Sequence, residues 1–190
     1  MRWLPLLLIG LLPGAAEVRA DTTELWNALK RGGAVALVRH TEAPGGAGDP
    51  AGFRLDDCTT QRNLSERGRA DARRLGDRFR QHGISVDKVL SSRWCRCKET
   101  AALMDLGAVE PMSTFDNAFV LRGQVKELTE GARAIVADWK GPGALVIVTH
   151  GANILPLTGI QPVEGAMVVV VPDPALDARL RVLGSITPGR

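Results

Sequence analysis

At 190 residues, with 45% hydrophobic and 24% charged side chains, the chain has room for one domain with a real core and lacks the bias of a disordered or fibrous polypeptide. Its 24 basic and 21 acidic residues leave a formal net charge of only +3, and they interleave along the chain, as in Glu66-Arg67 and Asp71 to Arg74, which reads as solvated helix surface and not as a nucleic-acid-binding face. Aromatic residues make up 4%, too few for a base-stacking surface, so Leu, Val, Ala and Ile must fill the core.

Residues 1–20 have the layout of a secretory signal peptide: a positive start at Arg2, an apolar run from Trp3 to Leu12, and Val18-Arg19-Ala20 as a cleavage site. The run is short for a membrane span and is interrupted by Pro5 and Pro13. An uncleaved anchor or a buried N-terminal helix is the alternative. Cleavage after Ala20 leaves a domain of residues 21–190, secreted or periplasmic, with 22 basic and 20 acidic residues and no membrane span.

Along that domain, Thr22 to Lys30 predicts a short helix capped by Asp21 or Thr22 and stopped by Gly32-Gly33. Ala34 to Arg39 is a valine-containing apolar run that predicts a buried strand ending at His40. Glu42 to Gln61, rich in glycine and proline, predicts a long loop. A helix opens at Asn63 or Ser65 and runs to about His82, with Ala70, Leu75 and Phe79 at helical spacing. Val86 to Leu90 predicts a strand, Arg93 to Leu106 a helix, and Val120 to Lys140 a mostly helical stretch. Ala144 to Thr149 is the clearest central strand and ends at His150; a helix follows from about Ala152 to Leu157. Ala166 to Val171 and Leu180 to Gly184 predict two last strands. Strands alternating with helices predict an α/β fold, a three-layer αβα sandwich around a mainly parallel sheet. Ligands in such sheets sit beyond the carboxyl ends of the strands, which brings Arg39-His40, Ser91 to Arg96 and His150 toward one place.

Those residue types suit phosphoryl chemistry. An imidazole can attack phosphorus and carry the phosphoryl group. A guanidinium offers fixed donors to phosphate oxygens, and a helix start adds N–H groups and positive partial charge. Singly, each residue has an ordinary reading as a surface arginine or a core histidine. Two histidines ending two strands of one sheet make a sharper pattern, whereas His82, before Gly83, fits a helix end.

Four motifs together resemble the histidine phosphatase (phosphoglycerate mutase-like) superfamily: Val38-Arg39-His40-Thr41 after the first strand, Leu64-Ser65 to Gly68 and Ala72 at a helix start, Ser92 with Arg96, Thr100 and Ala101, and the apolar strand into His150-Gly151. The resemblance spans about residues 34–155. It implies a phosphatase in which His40 is the nucleophile that forms phosphohistidine, Arg39 and Arg96 clamp the phosphoryl oxygens, and His150 adds a hydrogen bond and charge. No metal or other cofactor is implied. Thr41 stands where the family usually has glycine, and its hydroxyl is a candidate phosphate donor. For the acid that protonates the leaving group, Asp116 and Glu42 are the candidates. Asn153, Gln61 and Arg62 are possible pocket residues. The expected partner is a small phosphorylated substrate or a phosphorylated envelope component, with hydrolysis favoured over mutase chemistry. A non-catalytic phosphoryl-ligand binding protein on the same fold is the alternative, and a disulfide- or metal-dependent envelope structural protein is a third.

Three cysteines in an exported chain allow one bridge and one free thiol. Cys95 and Cys97 are badly placed to bond each other on a helix. The expected bridge is Cys58 to Cys95, with Cys58 to Cys97 as the competitor.

Overall fold

A computed structural model describes residues 21–46 and 48–189. The expected signal peptide lies outside them.

The elements follow in the order α1 (Thr22–Lys30), β1 (Val35–Arg39), α2 (Glu66–Gln81), β2 (Val86–Ser91), α3 (Cys95–Met104), β3 (Val109–Pro111), α4 (Val125–Ala137), β4 (Ala144–Thr149), α5 (Gly151–Thr158), β5 (Met167–Pro172) and β6 (Leu180–Ile186). The six strands form one sheet in the order β3-β2-β4-β1-β5-β6. Strands β1 to β4 run parallel, while β5 is antiparallel to β1 and β6 to β5, so the sheet is mainly parallel with an antiparallel edge.

Alternation along the buried strands divides the core in two. Ala36 and Val38 of β1 and Val146 and Val148 of β4 pack against Leu25 and Leu29 of α1, Leu75 and Phe79 of α2, and Ala101 and Met104 of α3. Val35 and Leu37, with Leu145 and Ile147, face Ala132 and Val136 of α4 and Ile154 and Leu157 of α5. This is the expected three-layer sandwich. The fully buried β4, flanked by β2 and β1, forms its centre.

Three local outcomes differ from the sequence pattern. Strand β3 is only three residues long and ends at Pro111, too short to show a period. Helix α4 begins at Val125, after a 3-10 turn over Arg122–Gln124 that contains Gly123, and not at Val120. Helix α3 begins at Cys95, two residues after the expected Arg93. Among the described residues no helix is long and apolar enough to cross a membrane.

Two features tie the loop after β1 to the helices. The Ser65 hydroxyl caps α2 by accepting from the Gly68 amide at 2.9 Å. A Cβ on Gly68 would sit 2.2 Å from the Glu42 carbonyl oxygen, so only glycine lets the helix start press against the segment that follows His40. Farther along, Cys58 is bonded to Cys95 with a Cα–Cα distance of 5.7 Å, fastening the loop to the first residue of α3. Cys97, the competing partner, is free and buried on the inner side of that helix.

Candidate active site

The ends of β1 and β4 are in register, with Arg39 opposite Thr149, and the His40 amide donates to the Thr149 carbonyl at 3.0 Å. That pairing sets the two following histidines side by side: the His40 and His150 rings lie edge to face, 5.4 Å between centroids. Both line a cavity of about 270 Å³ together with Arg39, Arg62, Arg96 and Gly151. Gly46 and Gly48 of the long loop, with Asn117, Phe119, Ala152 and Gln161, complete its wall.

His40 is 2% exposed, and its Nδ1 lies 2.9 Å from the Thr41 carbonyl oxygen. A carbonyl only accepts, so Nδ1 carries the proton and Nε2 keeps the lone pair. Burial pushes the imidazole pKa down; the Thr41 hydrogen bond opposes this, while Arg96, Arg39 and Arg62 add repulsion, leaving it at about 3. A neutral, nucleophilic imidazole is therefore held throughout the physiological range. His150 is also held well below its ordinary value, by burial first and then by repulsion from His40 and the arginines. Its Nε2 meets the Ser92 hydroxyl at 3.0 Å and its ring stands edge-on to Trp94.

The three arginines share an arrangement. Arg39 donates from Nη1 to the Pro162 carbonyl at 3.0 Å and from Nη2 to Glu164 at 3.4 Å. Arg62 donates from Nη1 to the Ala43 carbonyl at 2.7 Å. Arg96 donates from Nη1 and Nη2 to the Asp49 carboxylate at 2.7 and 3.2 Å. In each case Nε is buried and has no hydrogen-bond partner among the described residues. A buried unsatisfied donor costs roughly 1–3 kcal/mol. Three of them around one cavity fit an oxyanion that supplies the missing acceptors.

The structure therefore brings Arg39, His40, Arg96 and His150 together, along with Arg62. It does not bring in the others. The Thr41 hydroxyl lies 3.2 Å from that of Thr100, and its amide also donates to Thr100, so this residue locks β1 to α3 instead of facing the cavity. Glu42 turns away and its carboxylate accepts from the Ser65 hydroxyl. Asp116 is fully buried, accepting from the Arg93 amide at 3.0 Å and from Arg93 Nε at 2.8 Å, and borders a separate cavity lined also by Trp94 and Thr114. Neither proposed acid lines the space beside His40. Gln61 caps the start of α3 by accepting from the Cys95 amide at 3.0 Å. Asn153 braces the rim, accepting from the Ala118 amide at 3.1 Å and donating to the Asp116 carbonyl at 2.7 Å.

Sequence reasoning named none of Asp49, Asn117, Phe119 and Gln161 singly, although the first three fall in the two segments, 42–61 and 108–122, that it expects at the pocket rim. Asp49 looks like any acid in a glycine-rich loop, and Gln161 follows a helix end without a motif. One signal does exist for Gln161. A Cβ on Gly151 would fall 2.4 Å from its Nε2, so the glycine after His150 makes room for that amide.

The depressed His40 pKa ties stability to pH. The unfolded chain binds a proton on this imidazole near pH 6.5, whereas the folded chain resists until about pH 3. Between those values the unfolded state binds more protons, so stability falls as pH drops. From pH 7 to pH 4.5 the wild type is expected to lose about 2–3 kcal/mol more than His40→Asn, at about 1.4 kcal/mol per unit. Urea unfolding at the two pH values measures it; equal losses would contradict the assignment.

The family model for the histidine phosphatase superfamily (branch 1) matches residues 35–117. No curated protein sequence matches the chain. Among solved structures, the chain is similar to the protein histidine phosphatase SixA complexed with tungstate, at 16% identity over 82% of this chain and 97% of that one, TM-score 0.59. It is similar to the mycobacterial glucosyl-3-phosphoglycerate phosphatase Rv2419c complexed with VO3, at 15% identity over 78% and 96%, TM-score 0.56. It is also similar to a putative alpha-ribazole-5'-P phosphatase from Escherichia coli K-12, at 18% identity over 83% and 99%, TM-score 0.56.

Proposed function

We propose that the chain, whose residues 35–117 match the family model of the histidine phosphatase superfamily, hydrolyses a phosphorylated substrate through a phosphohistidine on His40. The observation that carries this reading is the neutral His40, with its lone pair on Nε2, in a cavity lined by three arginines whose buried Nε atoms lack a hydrogen-bond partner among the described residues. In the first step Nε2 attacks phosphorus, the N–P bond forms and the bond to the leaving oxygen or nitrogen breaks with its electron pair. Nδ1–H stays on the Thr41 carbonyl and stabilises the developing positive charge on the ring. In the second step water attacks phosphorus, its proton passes to solvent or phosphate, and the electron pair of the N–P bond returns to Nε2. Arg39, Arg62 and Arg96 offset charge on the phosphoryl oxygens, work that in other sites a divalent cation does, so the reaction needs no metal. His150, which lines the same cavity, adds a further hydrogen bond to those oxygens in this reading.

Among the described residues no carboxylate lines the cavity beside His40, which favours substrates whose leaving group departs without a proton: acyl phosphates, phosphoanhydrides and aryl phosphates. One fold relative is the protein histidine phosphatase SixA, whose structure holds tungstate. The reading also includes export, with residues 1–20 removed and the enzyme acting outside the cytoplasm on a small phosphorylated compound or envelope component. The Cys58–Cys95 bridge supports this, since disulfides persist in oxidising compartments.

The test is hydrolysis of p-nitrophenyl phosphate and acetyl phosphate by the purified chain of residues 21–190 in the presence of a chelator. Turnover with EDTA supports the reading. Folded protein that binds orthovanadate but turns over neither compound would instead be a phosphoryl-ligand binding protein.

A further inference from the structure

The long loop between β1 and α2 delivers one acid to the interior. The Asp49 side chain is 0% exposed, as is that of Arg96. Its carboxylate accepts four hydrogen bonds: from Arg96 Nη1 at 2.7 Å and Nη2 at 3.2 Å, from the Arg62 amide at 3.0 Å, and from the Trp94 indole at 2.9 Å. A desolvated carboxylate is tolerated when its acceptor sites are filled this way. Burial pushes its pKa up, but Arg96 and the other donors outweigh that and hold it below the usual carboxylate value.

The geometry constrains Arg96 closely. A guanidinium is a rigid plane with five donors. Once both Nη atoms grip Asp49, and Nη1 also reaches the Arg62 carbonyl at 3.3 Å, the plane cannot turn and Nε–H has a single direction. Nε is the atom left without a partner. The same carboxylate fixes the Arg62 backbone, so one acid anchors two of the three arginines lining the cavity. Glu164 is a weaker counterpart: it lies 3.4 Å from Arg39 and 3.8 Å from Arg62 and is 26% exposed.

We propose that Asp49 is a positioning residue that aims Arg96 at the transferring phosphoryl group, a role that rests on the phosphatase reading above. It touches neither substrate nor nucleophile. It also offsets one of three positive charges, so the site favours the directed N–H contacts of the transition state over indiscriminate retention of inorganic phosphate.

The test is a double-mutant cycle of Asp49→Asn with Arg96→Met, read by p-nitrophenyl phosphate turnover, by orthovanadate and phosphate affinity, and by thermal melting. Asp49→Asn in the wild type is expected to lower kcat about 10²-fold with KM changed less than about threefold, and to weaken orthovanadate far more than phosphate. In the Arg96→Met background the same change is expected to alter kcat and orthovanadate affinity by less than about threefold, because the group it acts through is gone. Additive losses in both backgrounds, or orthovanadate affinity unchanged by Asp49→Asn, would overturn the proposal. If Asp49→Asn alone does not fold, Arg96→Met against the double variant decides. Equal values support the proposal, and a further loss of activity in the double variant contradicts it. Wild type that binds orthovanadate without turnover would sink the phosphatase reading, and the orthovanadate affinities would still decide the role of Asp49.

Discussion

His40→Ala is expected to lower kcat/KM for p-nitrophenyl phosphate by about 10⁴-fold or more and to remove any acid-labile phosphoenzyme. The size follows from what the variant keeps and what it loses. The arginines and His150 remain, so the oxyanion still binds and some charge stabilisation survives. What disappears is the atom that splits one displacement into two, and water has no comparably placed base to replace it. Rapid quench with labelled substrate, alongside steady-state rates and a melting curve, checks the result. A His40→Ala protein that melts normally and keeps more than about 1% of activity would mean that His40 is not the nucleophile. His40 is buried and hydrogen-bonded to Thr41, so the melting curve separates loss of the nucleophile from loss of fold.

A steep dependence on the leaving group is the second large effect. General acid catalysis contributes about 10²–10⁴-fold where it operates. With Glu42 held by Ser65 and Asp116 held by Arg93, that contribution is missing beside His40. We expect kcat/KM for p-nitrophenyl phosphate and acetyl phosphate to exceed that for glycerol phosphate by at least about 10³-fold. Glu42→Gln and Asp116→Asn are expected to leave that ratio within about threefold of wild type. A flat profile across leaving groups, or a ratio that rises sharply in either variant, would show that an acid does reach the substrate. The expected outcome would narrow the substrates toward compounds in which phosphorus is joined to a stable leaving group.

The layered fold was legible because its signals are local and repeated: apolar strands bounded by glycine, helical spacing at Leu75 and Phe79, and a cap at Ser65. The centre of the site was legible for a related reason. Arg39, His40 and His150 follow directly from strand ends, and Arg96 follows from a helix start. Strand β3 escaped because three residues carry no period, and Asp49 escaped because its meaning lies in Arg96, Trp94 and Arg62, distant or unremarkable in sequence. Thr41 and Asp116 show what the sequence pattern leaves open. Each sits near the right elements, and side-chain direction sends one to Thr100 and the other to Arg93. Direction of this kind depends on packing between elements, which a pattern along the chain does not encode.

The order of strands in the sheet differs from their order of synthesis. β4 lies between β1 and β2, yet it is made after β1, β2 and β3. A growing polypeptide that has completed β3 already contains the nucleophile and all three arginines, but the strand that would hold β1 beside β2 does not yet exist. Translation adds about 5–20 residues per second, so this interval lasts seconds. Throughout it the chain holds the reactive groups without the frame that lowers the imidazole pKa and aligns the guanidiniums. β4 is thus the last of the four parallel strands to be made, and the frame that sets His40 beside His150 cannot close before it is present.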